Sequence, residues 1–221
     1  MHSSQNIQIV ILAAGESKRF GSPKQLCPWH DSMLLMHCID TCRSTGLSVH
    51  VTLGAHKSVI MEAIGRNIED CHLIDIGDWR TGLSASIRGA VNHIKEKFIS
   101  SGADEKKMPG IMFVLADQPF VLNRDLNRLI EEAKQYPDNI VCAGYDSDLS
   151  VNVEGSSAKK IGVPVIFPSS FYDELITLEG DQGAKSIIKS NPFIQVRFDN
   201  CMMDIDTHED LVRARSLKNS R

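Results

Sequence analysis

The sequence predicts an α/β fold: a three-layer, doubly wound, mostly parallel sheet of the Rossmann-like type, with helices on both faces. Short apolar runs alternate with segments whose apolar residues recur at helical spacing. Residues 110–116, which read GIMFVLA, form a continuous apolar run, as expected for a central strand buried on both faces. Polar loops at 12–24 and 116–119 directly follow apolar runs, and parallel sheets bind ligands at those strand ends.

Each element follows from its own local pattern. β-branched or alternating runs predict strands at residues 7–12, 49–53, 72–76, 110–116, 140–143 and 162–168. Helical spacing of apolar residues predicts helices at 33–43, 58–64, 84–98 and 123–135. Residues 100–109 are polar and predict a surface loop, and the polar stretch 145–160 predicts an irregular excursion. The strand–helix alternation itself predicts right-handed crossovers between parallel strands.

Composition limits the class of protein. A chain of 221 residues with 42% hydrophobic content fits a single domain, residues 1–221, with an ample core. A net charge of −4 gives no bulk attraction to nucleic acid or to an anionic membrane. No apolar stretch is long enough to span a membrane, and no signal peptide is recognisable at the N-terminus. Six scattered cysteines without a C-x-x-C pair suggest reduced thiols, so we expect a cytoplasmic protein.

The loop after the first strand is the strongest candidate for a binding site. It reads LAAGESKRFGSPK and offers Gly15, Ser17, Arg19, Gly21 and Lys24. Glycines let a backbone approach phosphates, and the two cations could neutralise a triphosphate. The loop is neither a Walker A motif nor G-x-G-x-x-G. The residues alone leave two interpretations open, a triphosphate cradle and an ordinary turn between strand and helix.

Carboxylates follow at two further places. Asp117 comes directly after the most hydrophobic strand, where it could hold Mg²⁺ or simply form a turn before Pro119. Asp204 and Asp206 are two apart, on one side of an extended segment, and either could be a second metal ligand. Thr207 is a suitable helix N-cap, with Asp210 at the capping-box position.

Two Gly-containing turns into helices, at residues 82–87 and 180–184, carry weaker signals. Either could meet a ligand, or could begin a helix in the same way with none. The histidines lack the spacing of a zinc site, and we interpret His56 and His72 as structural or surface residues. No G-x-S-x-G elbow is present, so the commonest hydrolase class is disfavoured.

Six motifs in order resemble the MobA-like nucleotidyltransferase family, and most of all its molybdenum cofactor cytidylyltransferase branch. They are LAAGESKRFGSPK, GLSASI, LADQP, GVPVIF, GDQGAKSII and DIDTHEDL, and the resemblance covers residues 7–213. It implies a Rossmann-like nucleotidyltransferase fold and transfer of CMP from CTP to molybdopterin with release of pyrophosphate. The product would pass to a molybdenum hydroxylase.

The resemblance also implies roles for individual residues. The catalytic residues would be Arg19, Lys24 and Asp117, and the Mg²⁺ ligands would be Asp117 and Asp206. The nucleotide would be bound by Leu12, Ala13, Ala14, Gly15, Ser17, Arg19, Lys24, Ser86 and Asp117. Ala14 matches cytidylyl-type members, whereas the guanylyl-type branch usually has Gly there. The acceptor would be bound by Gly162, Pro164, Asp181 and Gly183.

The chain departs from the family pattern at two positions and leaves two alternatives open. Phe20 stands where Met is usual, and His208 replaces the usual Pro after Thr207. One alternative keeps the chemistry but changes the acceptor to methylerythritol phosphate, a sugar phosphate or another alcohol phosphate. The other is a non-catalytic protein that holds molybdopterin for delivery to a hydroxylase such as xanthine dehydrogenase.

Overall fold

The computed structural model describes residues 6–145, 160–181, 183–198 and 203–218. The strands are β1 Ile7–Leu12, β2 Pro28–Trp29, β3 Ser32–Met33, β4 Val49–Leu53, β5 His72–Asp75, β6 Gly110–Leu115, β7 Ile140–Tyr145, β8 Lys160–Phe167 and β9 Phe193–Arg197. The helices are α1 Leu34–Arg43, α2 Lys57–Ile64, α3 Leu83–Ser100, α4 Asn123–Gln135, α5 Tyr172–Leu175, α6 Lys185–Ser190 and α7 His208–Lys218. Short 3₁₀ turns occur at Lys24–Leu26, Gly65–Ile68, Trp79–Thr81, Glu105–Lys107 and Ser169–Phe171.

The main sheet has seven strands in the order β5-β4-β1-β6-β8-β7-β9. β1 pairs in parallel with β4 and β6, β4 with β5, and β7 with β9. β8 runs antiparallel to both of its neighbours, β6 and β7. The prediction of a doubly wound, mostly parallel sheet is therefore confirmed. The predicted excursion at 145–160 lies outside the described residues except at its ends, where Tyr145 closes β7 and Lys160 opens β8.

All six predicted strands and all four predicted helices are present, with boundaries that shift by at most a few residues. Sequence patterns did not reveal the edge strand β9, the two-residue strands β2 and β3, or the four-residue helix α5. These elements are too short or too exposed to carry a clear hydrophobic period.

Two apolar layers pack on opposite faces of the sheet and make it three-layered. In β1, Ile9 and Ile11 face the layer formed by α1, α2 and α4, whereas Val10 faces the layer formed by α3, α5 and α6. This alternation is that of a central strand buried on both faces, and the central strand β6 shows the same division. No helix in the described part of the chain is long and apolar enough to cross a membrane.

A third, smaller apolar cluster lies beside residues 12–24, the loop after β1, which we call the first loop. It joins Phe20 and Trp29 of the loop region to Ile205 and to Leu211 of α7. The C-terminal segment is thereby fixed against the loop that follows β1. The carboxyl ends of the parallel strands β1 and β6 lie side by side at the same edge, because Leu12 pairs with Leu115.

Candidate active site

A cavity of about 810 Å³ opens at the carboxyl ends of β1 and β6. Loop 12–19 forms one wall, and the beginning of α3 forms another. Besides that loop, the lining residues are Lys24, Gln25, Leu34, Trp79, Arg80, Gly82, Leu83, Ser86, Leu115, Ala116, Asp117, Asp181 and Asp206. The structure thus brings all of the predicted nucleotide-binding residues to one cavity.

In the loop of residues 13–17, the backbone carbonyls are paired with protein donors, whereas most of the backbone N–H groups are unpaired within the described residues. Every carbonyl in it accepts a hydrogen bond from the protein: Ala13 O from Gln25 Nε2 (2.8 Å), Ala14 O from Ala55 N (3.1 Å), Gly15 O from Gln25 Nε2 (3.2 Å), Glu16 O from His56 Nε2 (2.8 Å), and Ser17 O from Phe20 N (2.9 Å) and Gly21 N (3.1 Å). Ser17 has a φ of +58°, which allows the chain to turn back at this point. All of the backbone carbonyls of this loop are therefore already paired with donors of the protein.

Most backbone N–H groups of the same loop have no hydrogen-bond partner within the described residues. Ala13 N donates to Thr52 Oγ1 over 3.1 Å, but the N–H groups of residues 14–17 meet no acceptor within the described residues. All of these residues line the cavity. A run of unpaired N–H groups that faces a cavity is an anion-binding concavity. Lys18, Arg19 and Lys24 line the same cavity, where each contacts a carboxylate of the protein.

Lys24 joins the two carboxylates at the floor of the cavity. Its Nζ donates to Asp117 Oδ2 and, over 2.9 Å, to Asp206 Oδ1. Burial disfavours the charged lysine, but the two carboxylates outweigh burial and raise the pKa of the Lys24 ammonium above its ordinary value. Lys24 is 18% exposed and Asp117 is 14% exposed, so solvent screens this pair only weakly.

Asp117 has an unused oxygen. Its Oδ1 is buried and has no hydrogen-bond partner among the described residues. Burial raises the pKa of the Asp117 carboxyl, and the attraction of Lys24 opposes that rise only in part. A buried carboxylate oxygen without a partner is unfavourable unless a ligand completes it.

Asp117 and Asp206 fit a magnesium site that is completed by substrate. No group of three or more His, Cys, Asp or Glu side chains in the described ranges could hold a metal ion by itself. Mg²⁺ commonly takes one or two carboxylates, water and substrate phosphates rather than an all-protein cage. The carboxylate pair, with the unpaired Oδ1 of Asp117, matches that donor set.

Asp204 and Asp206 take different positions, although the sequence did not separate them. Asp206 lines the cavity, whereas Asp204 Oδ1 accepts from Gln118 Nε2 over 2.9 Å. The expected extended segment is not part of a strand, and it is held beside β6 by a bond from Ile205 N to Asp117 O of 3.0 Å. Of these two carboxylates, Asp206 is therefore the one placed to face a ligand.

The first loop is fastened to the start of α7 by two side-chain contacts. Arg19 Nη2 donates to Asp206 Oδ2 over 2.7 Å, and the rings of Phe20 and His208 lie 4.1 Å apart. The predicted cap is confirmed, because Asp210 N donates to Thr207 Oγ1 over 3.1 Å. Phe20 and His208, the two departures from the family pattern, are in contact with each other.

The beginning of α3 is packed tightly against the turn that carries Asp181. Ser84 N donates to Gly180 O over 3.2 Å. Gly82 has a φ of +102°, and a Cβ there would lie 2.5 Å from both Gly180 O and Asp181 Oδ1. Only glycine fits this junction without displacement. Asp181 is thereby held at the cavity, opposite the first loop.

The remaining predicted acceptor residues are not in the cavity wall. Gly162 and Pro164 belong to β8, and Gly183 packs beside Leu83. Because β8 is antiparallel to β6, its beginning lies at the same sheet edge as Asp117. These residues are near the cavity without lining it.

Sequence reasoning missed Gln25, Trp79 and Arg80, whereas His56, interpreted as a structural or surface residue, contacts the backbone at Glu16 O. Gln25 is buried at 3% exposure, and the Arg80 guanidinium lies 4.2 Å from the centroid of the Trp79 ring, at the cavity. Gln25 could have been noticed as a polar residue next to Lys24, but its contacts are set by tertiary structure. No sequence signal distinguishes His56.

Comparison with known proteins identifies the family. Residues 9–196 match the family described as the MobA-like NTP transferase domain. The purine catabolism protein PucB of Bacillus subtilis strain 168 is 26% identical over 219 residues, which cover 92% of this chain and 94% of PucB.

Two solved structures of Rv0371c from Mycobacterium tuberculosis H37Rv share the fold. The first has a TM-score of 0.76 at 28% identity and covers 96% of this chain and 97% of that one. The second, a complex with manganese, has a TM-score of 0.70 at 26% identity and covers 96% and 98% of the two chains.

Proposed function

Because the chain belongs to the family of MobA-like NTP transferase domains, we propose that it is a Mg²⁺-dependent cytidylyltransferase acting on molybdopterin cofactor. It transfers CMP from CTP to the terminal phosphate of molybdopterin and releases pyrophosphate. A molybdenum hydroxylase receives the product.

One observation carries the proposal: a loop with unpaired N–H groups and a pair of carboxylates line the same cavity. The loop suits the phosphates of a nucleotide, and the carboxylates suit the cation that accompanies them. A protein that only carried an uncharged ligand would gain nothing from this division of charge.

The residues account for in-line transfer. An oxygen of the acceptor phosphate attacks the α-phosphorus of CTP; a new P–O bond forms as the bond to the β-phosphate oxygen breaks, and pyrophosphate leaves with that electron pair. Arg19, Lys24 and the loop N–H groups orient the triphosphate and neutralise the charge that develops on the leaving group. Asp117 and Asp206 would hold Mg²⁺, which supplies further charge neutralisation when bound. The acceptor phosphate is ionised at neutral pH, so the reaction needs no general base.

Specificity rests on different residues for the two substrates. Ala13, Ala14 and Ser86 would meet the base, and Ala14 favours cytidine over guanosine. Asp181 in the cavity wall, with Gly162, Pro164 and Gly183 outside that wall, would meet the acceptor. Manganese in the Rv0371c complex supports the use of a divalent metal in this fold.

The likeness to PucB, a purine catabolism protein, favours a second candidate, a non-catalytic protein that delivers molybdopterin to a hydroxylase. Such a protein would bind cofactor and hydroxylase without turning over CTP. The Lys24 contact with both Asp117 and Asp206 argues for catalysis, because a carrier has no need of a metal–triphosphate site.

Pyrophosphate release separates these functions. We expect release with CTP and molybdopterin, and much less with GTP or ATP. Release with methylerythritol phosphate or a sugar phosphate instead would move the proposal to another acceptor. Molybdopterin binding with no release for any nucleotide would favour the delivery protein.

A further inference from the structure

We infer that Gln25 and His56 are positioning residues. They bind backbone carbonyls of the loop after β1 and thereby orient its N–H groups to bind an anion. The inference rests on the proposed function, since it concerns the loop that would bind the triphosphate. Neither residue is assigned a role in the transfer reaction above. Both act through backbone groups of the loop.

Gln25 holds the loop from inside the protein. Its Nε2 donates to Ala13 O over 2.8 Å and to Gly15 O over 3.2 Å, and its Oε1 accepts from Ser17 Oγ over 3.3 Å. Ser17 Oγ in turn accepts from Lys24 N over 3.4 Å. One amide therefore fixes both the start of the loop and the residue whose ammonium reaches the carboxylates.

His56 holds the loop from the other side. It lies in the turn between β4 and α2, and its Nε2 donates to Glu16 O over 2.8 Å. The same turn supplies Ala55 N, which donates to Ala14 O over 3.1 Å. Two unconnected parts of the chain, the turn after β4 and the Gln25 amide, thus bind four successive carbonyls of the loop.

The direction of these carbonyls decides what the cavity can bind. A peptide unit is planar and trans, so its C=O and N–H point in opposite directions. Donors that bind the carbonyls of residues 13–16 therefore also fix the directions of the N–H groups of residues 14–17, which line the cavity and have no acceptor among the described residues. A released peptide could rotate and place an oxygen where a phosphate oxygen should lie, with electrostatic repulsion between them.

A purely structural role for these residues makes a different prediction. If Gln25 and His56 only fill space, then their loss lowers stability and affects every ligand alike. If they orient the N–H groups of the loop, then their loss weakens the binding of ligands that carry phosphate groups and leaves the binding of other ligands unchanged. Inorganic tripolyphosphate and cytidine, which are two parts of CTP, separate these cases.

The test compares Gln25→Met and His56→Phe, which keep approximate size but remove the donors, with His56→Gln, which keeps a donor. Calorimetry measures the affinity of each protein for tripolyphosphate with Mg²⁺, for cytidine and for CTP with Mg²⁺, and thermal unfolding measures folding. Because one neutral hydrogen bond corresponds to a factor of about five in an equilibrium constant, we expect tripolyphosphate to bind about tenfold or more weakly to Gln25→Met and about fivefold more weakly to His56→Phe. Cytidine affinity should stay near wild type, the melting temperature should fall by only a few degrees because the variants still fold, and His56→Gln should bind as wild type does.

Unchanged tripolyphosphate affinity in both Gln25→Met and His56→Phe would overturn the inference. So would an equal loss of affinity for cytidine and tripolyphosphate, because that result indicates a structural role. Failure of the wild-type protein to bind tripolyphosphate or CTP at all would contradict the proposed function itself.

Discussion

Lys24 Nζ donates to Asp206 Oδ1 over 2.9 Å, and the same ammonium donates to Asp117, so one cation joins two carboxylates from distant parts of the sequence. In this arrangement the lysine neutralises the residues that we propose as metal ligands. A triphosphate that attracts Lys24 would free both carboxylates as it brings its own metal ion. Binding of nucleotide and of metal should therefore be strongly coupled.

Replacement of Lys24 by Met tests this coupling. We expect Lys24→Met to weaken CTP binding while increasing Mn²⁺ affinity in the absence of nucleotide, because Asp117 then lacks its cation and Asp206 keeps only Arg19. Electron paramagnetic resonance titration of free Mn²⁺ measures the affinity. Lys18→Met, at the exposed rim of the loop, is the control and should leave Mn²⁺ binding unchanged. Equal Mn²⁺ affinity in Lys24→Met and wild type would contradict the coupling.

The Phe20–His208 contact predicts an energetic coupling between the first loop and α7. Stacked aromatic pairs contribute about 0.5–1.5 kcal/mol beyond the area they bury. We expect Phe20→Met and His208→Pro each to weaken Mg²⁺–CTP binding, because the contact holds Asp206 beside Arg19. The double variant should lose less than the sum of the two, in a cycle measured by calorimetry. Strict additivity would show that the rings do not act together.

His50 predicts a loss of stability in acid. It is 1% exposed, and both ring nitrogens lack partners in the described structure. Burial, His72, His93 and Lys97 together lower the pKa of His50 to about 3. Because the unfolded chain binds this proton near pH 6.5, stability is constant above that pH and falls below it, by up to about 1.4 kcal/mol per pH unit.

Replacement of His50 by Leu should remove most of this dependence. Urea unfolding between pH 7.5 and pH 5 should show a smaller decline than in wild type. The variant should also be more stable at pH 7.5, because no unpartnered imidazole is buried. His72→Gln is the comparison and should have less effect, since His72 is largely exposed. A decline in His50→Leu as steep as in wild type would show that other groups are responsible.

Ala14 predicts the base preference. It is 3% exposed in the cavity wall, and its carbonyl is held by Ala55 N. We expect Ala14→Gly to reduce the preference for CTP over GTP, measured as the ratio of the two kcat/KM values. Ala13→Gly serves as the matched change in the same wall. A larger effect of Ala13→Gly would move the base contact to that residue.

The fold could be predicted wherever one hydrophobic period dominated. Helix α4 begins and ends as predicted, at Asn123 and Gln135, because its apolar residues keep strict helical spacing. Strand β9 was missed because it is a short edge strand whose residues are mostly only half-buried. The antiparallel direction of β8 could not be foreseen from β-branched residues alone, since direction depends on the connection before it.

The candidate site could be predicted in part. Glycines, cations and a carboxylate at strand ends mark Gly15, Arg19, Lys24 and Asp117, and the structure brings these residues together. Asp204 and Asp206 look equivalent in the sequence. They differ in the structure because Gln118 donates a hydrogen bond to Asp204. The roles of Gln25 and His56 depend on backbone carbonyls, and these leave no mark in a sequence.

The most direct measurement is a calorimetric titration of CTP with and without Mg²⁺ into the wild-type protein and Asp117→Asn. We predict that Mg²⁺ tightens CTP binding to wild type, more than binding of GTP or ATP. Asp117→Asn should lose that effect of Mg²⁺ together with pyrophosphate release, while the protein still unfolds in a cooperative thermal transition. If Asp117→Asn keeps Mg²⁺-dependent CTP binding and normal turnover, the assignment of this cavity as a nucleotidyl transfer site is wrong.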